Sequence, residues 1–164
     1  MSNDKGSKPD KPDVKPVATN RRAYHDYFVD DSFEAGIVLA GSEVKSIRDH
    51  HINIAEAHAT VVNGEVWVHG MRISPYPAAR DNPDPTRPRK LLLRAQEVRR
   101  LERQVREKGF TLIPLKVYFS ERGLAKLQLG LCRGKRQFDK REAIAEREFE
   151  VRKQRALIEH ARGQ

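Results

Sequence analysis

Apolar and polar residues alternate along several short stretches of the chain, and a period of two predicts β-strands because successive side chains leave a strand on opposite faces. Leu115, Val117 and Phe119 alternate with Lys116 and Tyr118, and Ala125, Leu127, Leu129 and Leu131 alternate with Lys126, Gln128, Gly130 and Cys132, with a turn over Ser120 to Gly123 between them. Closely spaced aromatics and Val29 predict a strand over Tyr24 to Asp30, and Phe33 to Leu39 reads as another. Asn63-Gly64 separates two β-prone runs, Ala59 to Val62 and Glu65 to His69. Both turn residues accept positive φ, so a type I′ hairpin is expected.

The period changes in two places. Leu91, Ala95, Val98, Leu101 and Val105 recur at three or four residues, one face of a helix of roughly 15 residues. Arg94, Arg99, Arg103 and Arg106 lie off that stripe, and Gly109 is a natural stop. A shorter helix is expected from Ser42, as N-cap, through Arg48, with Val44 and Ile47 inward and Lys45 and Arg48 outward. Five prolines between Ser74 and Pro88 enforce a long loop. About six short antiparallel strands in so small a chain predict a mainly β fold, with the sheet closing into a small barrel that removes exposed edges. Helices flank it.

Composition divides the chain in three. Residues 1–19 repeat Lys, Asp and Pro without periodicity and are expected to be a disordered leader; 20–132 form the barrel domain; 133–164 form a basic tail. That tail holds ten Lys/Arg and six Asp/Glu against two aromatics and four large aliphatic side chains, too little apolar surface for a core of its own. Asp139 to Glu148 is nevertheless rich in helix formers. The tail is therefore expected to be disordered alone and helical when a partner holds it.

The partner's chemistry follows from charge. Net charge is +9, and its excess sits on Arg87 to Lys108 (+6) and on the tail (+4), while Asn20 to Thr86 carries −4. Uneven positive charge of this kind points to nucleic acid. No apolar run approaches the ~20 residues of a spanning helix, no signal-peptide core is visible, and one cysteine forms no internal disulfide, so a reducing cytoplasm is expected. Cys132 reads as a small buried hydrophobe. The six histidines lack zinc-site spacing, no glycine-rich phosphate loop occurs, and Asp30, Asp31 and Glu34 are ordinary strand-end carboxylates. His25-Asp26 reads as a local pair on opposite faces of a strand. An enzyme is not expected, and neither is a metal or cofactor. Arg87, Arg89 and Lys90 would sit where the loop meets the helix, a favourable place for phosphate. Lys135, Arg136, Lys140 and Arg141 surround Phe138, and cations around an aromatic ring suit RNA. Phe138 either stacks on a base or anchors the tail on the barrel.

Six segments in order resemble the small protein B family of bacterial ribosome rescue. They are Asn20-Arg21-Arg22-Ala23, His25-Asp26-Tyr27-Phe28, Phe33-Glu34-Ala35-Gly36-Ile37, Gly41 to Arg48, Asp84 to Leu93 and Gly134 to Arg141. The resemblance implies an oligonucleotide-binding-type barrel that binds the tRNA-like domain of transfer-messenger RNA in place of the missing anticodon arm. It implies ribosomal partners too, with the tail helical in the vacant messenger channel near the decoding centre. Elongation factor Tu and alanyl-tRNA synthetase would be reached only through the RNA. Carried over by motif, Asn20, Arg21, His25, Glu34, Gly36, Glu43, Lys45, Arg48, Arg89, Lys90 and Leu91 are candidates for the RNA-facing side. Glu34 would accept from base amino groups. Gly134, Lys135, Phe138, Asp139, Lys140, Arg141, Ile144, Glu146, Arg147 and Phe149 would form the ribosome-facing tail. Phe138 stands where the family often has histidine; phenylalanine keeps stacking but loses hydrogen bonding and charge. The competing expectations are a general ribosomal or single-strand-binding barrel, and an RNA-processing enzyme with clustered carboxylates or a metal.

Overall fold

The computed structural model describes residues 15–135 and 148–158. Phe138, Asp139, Lys140, Arg141, Ile144, Glu146 and Arg147 lie outside them, as does most of the leader. Among the described residues the chain runs β1 (Ala18–Thr19), α1 (Arg21–Asp26), β2 (Tyr27–Ile37), α2 (Gly41–Arg48), β3 (Ile52–Asn53), β4 (His58–Val62), β5 (Glu65–His69), β6 (Arg72–Ile73), β7 (Arg89–Leu92), α3 (Ala95–Lys108), β8 (Thr111–Phe119) and β9 (Ala125–Gly134). Residues 148–158 are helical.

The antiparallel pairings run β8–β4–β5–β7–β2–β9, and β9 pairs back onto β8, so the ring of six longer strands closes. Closure leaves β1 as a short addition on β8 and puts a paired ladder where an open sheet would have edges. Ala35, Val66, Val68, Leu91, Leu112, Val117, Leu127 and Leu129 fill the interior, and Val98 and Leu101 of α3 join them. The thinnest seam, β4 to β8, rests on the single pair Ala59–Leu112, and α3 packs on β4 beside it. Asn63 (φ 51) and Gly64 (φ 75) make the expected hairpin turn, and Gly109 ends α3 at φ 66.

Several expectations are corrected. Arg21–Asp26 is a helix, because the Asn20 side chain accepts the Ala23 N–H at 3.1 Å and Ala23 packs against Ile113, Leu115 and Cys132. The two strands read over Tyr24 to Leu39 are one strand of 11 residues, bent by a bulge between Val29 and Asp31. Leu91 belongs to β7, which must pair with both β2 and β5 to close the ring; α3 begins four residues later. Ser42 does not cap α2. The N-cap is Ala40, whose N–H donates to Glu43 at 3.0 Å. Leu115 does not share a face with Val117, since β8 bulges between Pro114 and Lys116 and turns Leu115 toward α1. Cys132 is buried as expected, on the outer face beneath that same helix.

Candidate nucleic-acid interface

Four of the residues carried over as RNA-facing, Asn20, Glu43, Arg89 and Leu91, are buried, and Glu43 and Arg89 form an ion pair. Glu43 is 4% exposed and Arg89 0%. The Arg89 guanidinium donates through Nε to Glu43 at 2.7 Å, through Nη1 to the Met71 and Arg87 carbonyls at 2.7 and 3.1 Å, and through Nη2 to the Pro85 carbonyl at 3.1 Å. Glu43 also accepts from Arg87 and from the Ala40 N–H that starts α2. One carboxylate therefore ties the proline-rich loop, β7 and the start of α2 together. Ser46 adds a 2.7 Å bond to the Ser74 carbonyl at the other end of the loop. These bonds position the surface around them.

The Glu43 knot is pH-sensitive. Burial opposes its ionisation, but bonds from Arg87, the Ala40 amide and Arg89 outweigh that and hold the carboxyl below its ordinary 4.5. A lowered folded value means the unfolded chain takes up the proton first. The stabilisation is thus complete above about pH 4.5 and is lost as pH falls through the lower folded value. In an acid titration followed by circular dichroism, Glu43→Gln is expected to flatten this part of the stability profile; an unchanged profile would place the acid-sensitive group elsewhere.

The exposed face of β8, β9, β2 and β7 is the stronger candidate for an interface. Strand register aligns Tyr118, Lys126, Gly36 and Leu92 in one row, and Lys116, Gln128 and Glu34 in the next. The Tyr118 hydroxyl donates to Glu34. Burial first, and then that bond, push the Tyr118 pKa upward, so the phenol stays protonated and orients the carboxylate. Gly36 keeps the row flat: a Cβ there would lie 3.4 Å from Leu92 Cβ. Leu92 is 54% exposed whereas Leu91 is 2% exposed. The leucine carried over by motif is thus one residue off; Leu91 fills the barrel and Leu92 faces out. Lys90 lies on the same outer side of β7, paired with Glu65 at 3.2 Å. At the end of this face, Arg48 sits over the Phe119 ring at 5.5 Å and Lys45 over Tyr76 at 5.6 Å. Lysines, a guanidinium held on a ring, a phenol and an oriented carboxylate offer phosphate, sugar and base edges a partner each. Strand alternation, read across all four strands at once, would have found Tyr118, Lys126 and Leu92.

The remaining candidates lie at the barrel's other end. Lys126 to Gly134 along β9 spans about 27 Å at ~3.4 Å per residue, and Gly134 lies opposite Tyr27, the residue after α1. Arg21 and His25 are exposed there on α1. His25 and Asp26 share a 2.8 Å hydrogen bond on the helix, where a strand would have separated them. Asn20 is buried and occupied, donating to the Ile54 and Pro114 carbonyls at 3.1 and 3.0 Å besides capping α1. It serves the fold. A groove of about 700 Å³ runs between α1, Thr111, Gly134 and Lys135. The root of the tail is fastened beside it: Arg133 pairs with Asp30 at 3.0 Å and lies over Phe28 and Phe110, while Lys135 lies over Phe28 and donates to the Tyr24 carbonyl at 3.3 Å. Phe149, the one tail candidate beyond Lys135 that is described, is an exposed residue of the 148–158 helix.

Other chemistry finds less support. Burial, then the Asp30 charge, push the Cys132 thiol up to about 11, so it is protonated and a poor nucleophile. Among the described residues, no three His, Cys, Asp or Glu side chains are grouped to hold a metal ion, and no helix is long and apolar enough to cross a membrane.

The chain is similar to known proteins over most of its length. Residues 17–159 match the family model for the SmpB protein. The chain is 56% identical over 147 residues to the SsrA-binding protein of Moorella thermoacetica, covering 89% of this chain and 95% of that one. It is 51% identical over 148 residues to the SsrA-binding protein of Symbiobacterium thermophilum, covering 90% and 94%. A chain of the solved structure "tmRNA-SmpB: a journey to the center of the bacterial ribosome" superposes with a TM-score of 0.62 at 50% identity, covering 73% of this chain and 85% of that one.

Proposed function

The chain belongs to the SmpB family, and from that membership we infer that it binds transfer-messenger RNA and serves trans-translation, the rescue of stalled ribosomes. The observation that carries the reading is similarity to SsrA-binding proteins over 89–92% of the chain, supported by a closed barrel with a mixed-polarity outer face. We read the protein as a cytoplasmic binding adaptor and not as a catalyst. The tRNA-like domain of the RNA would lie on the face of Glu34, Gly36, Leu92, Tyr118 and Lys126, with Lys45, Arg48 and Lys90 at its margins. Arg21, His25 and the tail from Gly134 onward would face the ribosome, with the tail in the vacant messenger channel. Elongation factor Tu and alanyl-tRNA synthetase would act on the RNA alone.

Competition binding tests this directly. The isolated tRNA-like domain should outcompete a size-matched tRNA and a single strand, and its preference should persist as salt rises. Equal competition with a steep salt slope would mean mostly phosphate contacts and a general RNA-binding barrel. Within that assay Lys126→Ala is expected to weaken binding to the tRNA-like domain by roughly tenfold, the scale of one lost charged contact. Lys126 is half-buried on the outer row and outside the core, so stability should hardly change. Wild-type affinity in that variant would remove the outer row from the interface.

A further inference from the structure

The single tryptophan of the chain stands where the fold makes little use of it. Trp67 sits between Val66 and Val68, which are 1% and 0% exposed inside the barrel, so strand alternation turns its indole to the outside of β5. It is half-buried there and belongs to neither core cluster of the described residues. Aromatic side chains dominate core energetics when they are buried; this one lies on the outer wall instead. The ring is nonetheless held. Its N–H donates to Glu65 Oε2 at 3.2 Å, and the other oxygen of that carboxylate accepts from Lys90 Nζ at 3.2 Å. One carboxylate thus fixes an aromatic ring and a lysine side by side.

Register joins this pair to the outer face described above. Trp67 lies directly opposite Lys90 of β7, and Leu92, two residues further along the same side of that strand, is exposed opposite Gly36. Val62 of β4 lies opposite Glu65 and is exposed as well. The outer face therefore continues from β7 onto β5, and its character changes on the way. Tyr118, Lys126 and Glu34 offer groups suited to phosphate, sugar and base edges. On β5 the surface is a fixed ring bordered by aliphatic side chains and one compensated ion pair. A ring of that kind suits a flat partner. An unpaired base is flat and stacks on any aromatic face, and its nucleotide carries a phosphate that a lysine beside the ring can meet.

We propose that Trp67 is a stacking platform for one unpaired base of the tRNA-like domain, with Lys90 beside it for the adjoining phosphate. The inference rests on the functional reading above, and the experiment separates the two. Because the chain has one tryptophan, intrinsic tryptophan fluorescence reports on this ring alone. Full-length wild-type protein is titrated with the isolated tRNA-like domain, and emission and acrylamide quenching are followed alongside affinity from competition. The RNA should quench Trp67 emission in step with binding and shield the ring from acrylamide. Trp67→Ala should weaken binding about ten- to a hundredfold, the scale of one lost base stack. Trp67→Leu should lose nearly as much, whereas Trp67→Phe, which keeps a ring, should stay within about threefold of wild type. Equal melting temperatures confirm that the variants are folded, and the wild-type signals decide the matter if they are not. RNA that binds wild-type protein but leaves both emission and acrylamide access unchanged overturns the proposal. So does wild-type affinity in Trp67→Ala; lost tagging in that variant would then assign the ring to a protein partner. Equal affinity in Trp67→Leu and Trp67→Phe overturns it too, since apolar bulk and not a π-face is then what binds. Failure of the functional reading shows independently, as wild-type protein that does not prefer the tRNA-like domain over a size-matched tRNA.

Discussion

Glu43→Ala is expected to destabilise the protein by about 3–5 kcal/mol, the usual consequence of removing one partner from a buried ion pair. The substitution leaves the guanidinium of Arg89 in the interior with carbonyl partners only, and takes the side-chain acceptor from the first turn of α2. For a chain of this size that corresponds to a melting temperature lower by roughly 6–20 °C. Replacing both partners, as in Glu43→Met with Arg89→Met, should recover much of the loss, because no unpaired charge is then buried in this pair. Arg87 remains and limits the recovery. Thermal melts of the two variants decide the matter: a single-variant loss below about 1 kcal/mol would show that the proline-rich loop is held by other contacts. RNA binding separates this role from a direct one. Below its melting temperature, Glu43→Ala should keep its affinity for the tRNA-like domain; lost affinity with unchanged stability would return Glu43 to the interface.

The knot also marks where reading the sequence stops short. The Asn63-Gly64 hairpin, the Gly109 stop, the proline-rich loop and the alternation in β9 were legible because each depends on neighbours a few residues away. Arg89 and Leu91 were misplaced because their environment is set at long range. Spacing of four between Leu91 and Ala95 imitates a helical stripe, yet Leu91 fills the barrel opposite Ile37 and Val66. A run of basic residues looks like surface, yet Arg89 is buried by a carboxylate 46 positions earlier. Asn20 misled in the same way, since a polar residue in a family motif is readily taken for a ligand contact and here it caps a helix and bridges two carbonyls. Motif resemblance located the family and its neighbourhoods well. It could not say which member of Leu91-Leu92 faces out, because that depends on strand register. Glu34, Gly36, Lys45, Arg48 and Lys90 were named by motif and are exposed or half-buried; Tyr118, Lys126 and Leu92 joined them as candidates only when four strands stood side by side.

Ending the chain after Lys135 is expected to leave affinity for the tRNA-like domain within about twofold of wild type and to abolish tagging on stalled ribosomes. The first half follows from where things are. Both core clusters use residues up to Cys132, the outer face ends its β9 contribution near Gln128, and Arg133 and Lys135 keep their ring and ion-pair contacts in the shortened protein. The second half follows from what the removed segment lacks. The exposed Phe149, Val151, Leu157 and Ile158 of the 148–158 helix belong to neither core cluster of the described residues. Removing the anchor instead, with Phe28→Ala in the full chain, should give an intermediate result: normal RNA binding and reduced tagging, because the tail is present but its exit is no longer fixed. If truncation after Lys135 cost most of the RNA affinity, the tail would be the RNA anchor and the division between barrel and tail would be wrong. If it left tagging intact, the ribosome would be reading the barrel alone, through α1.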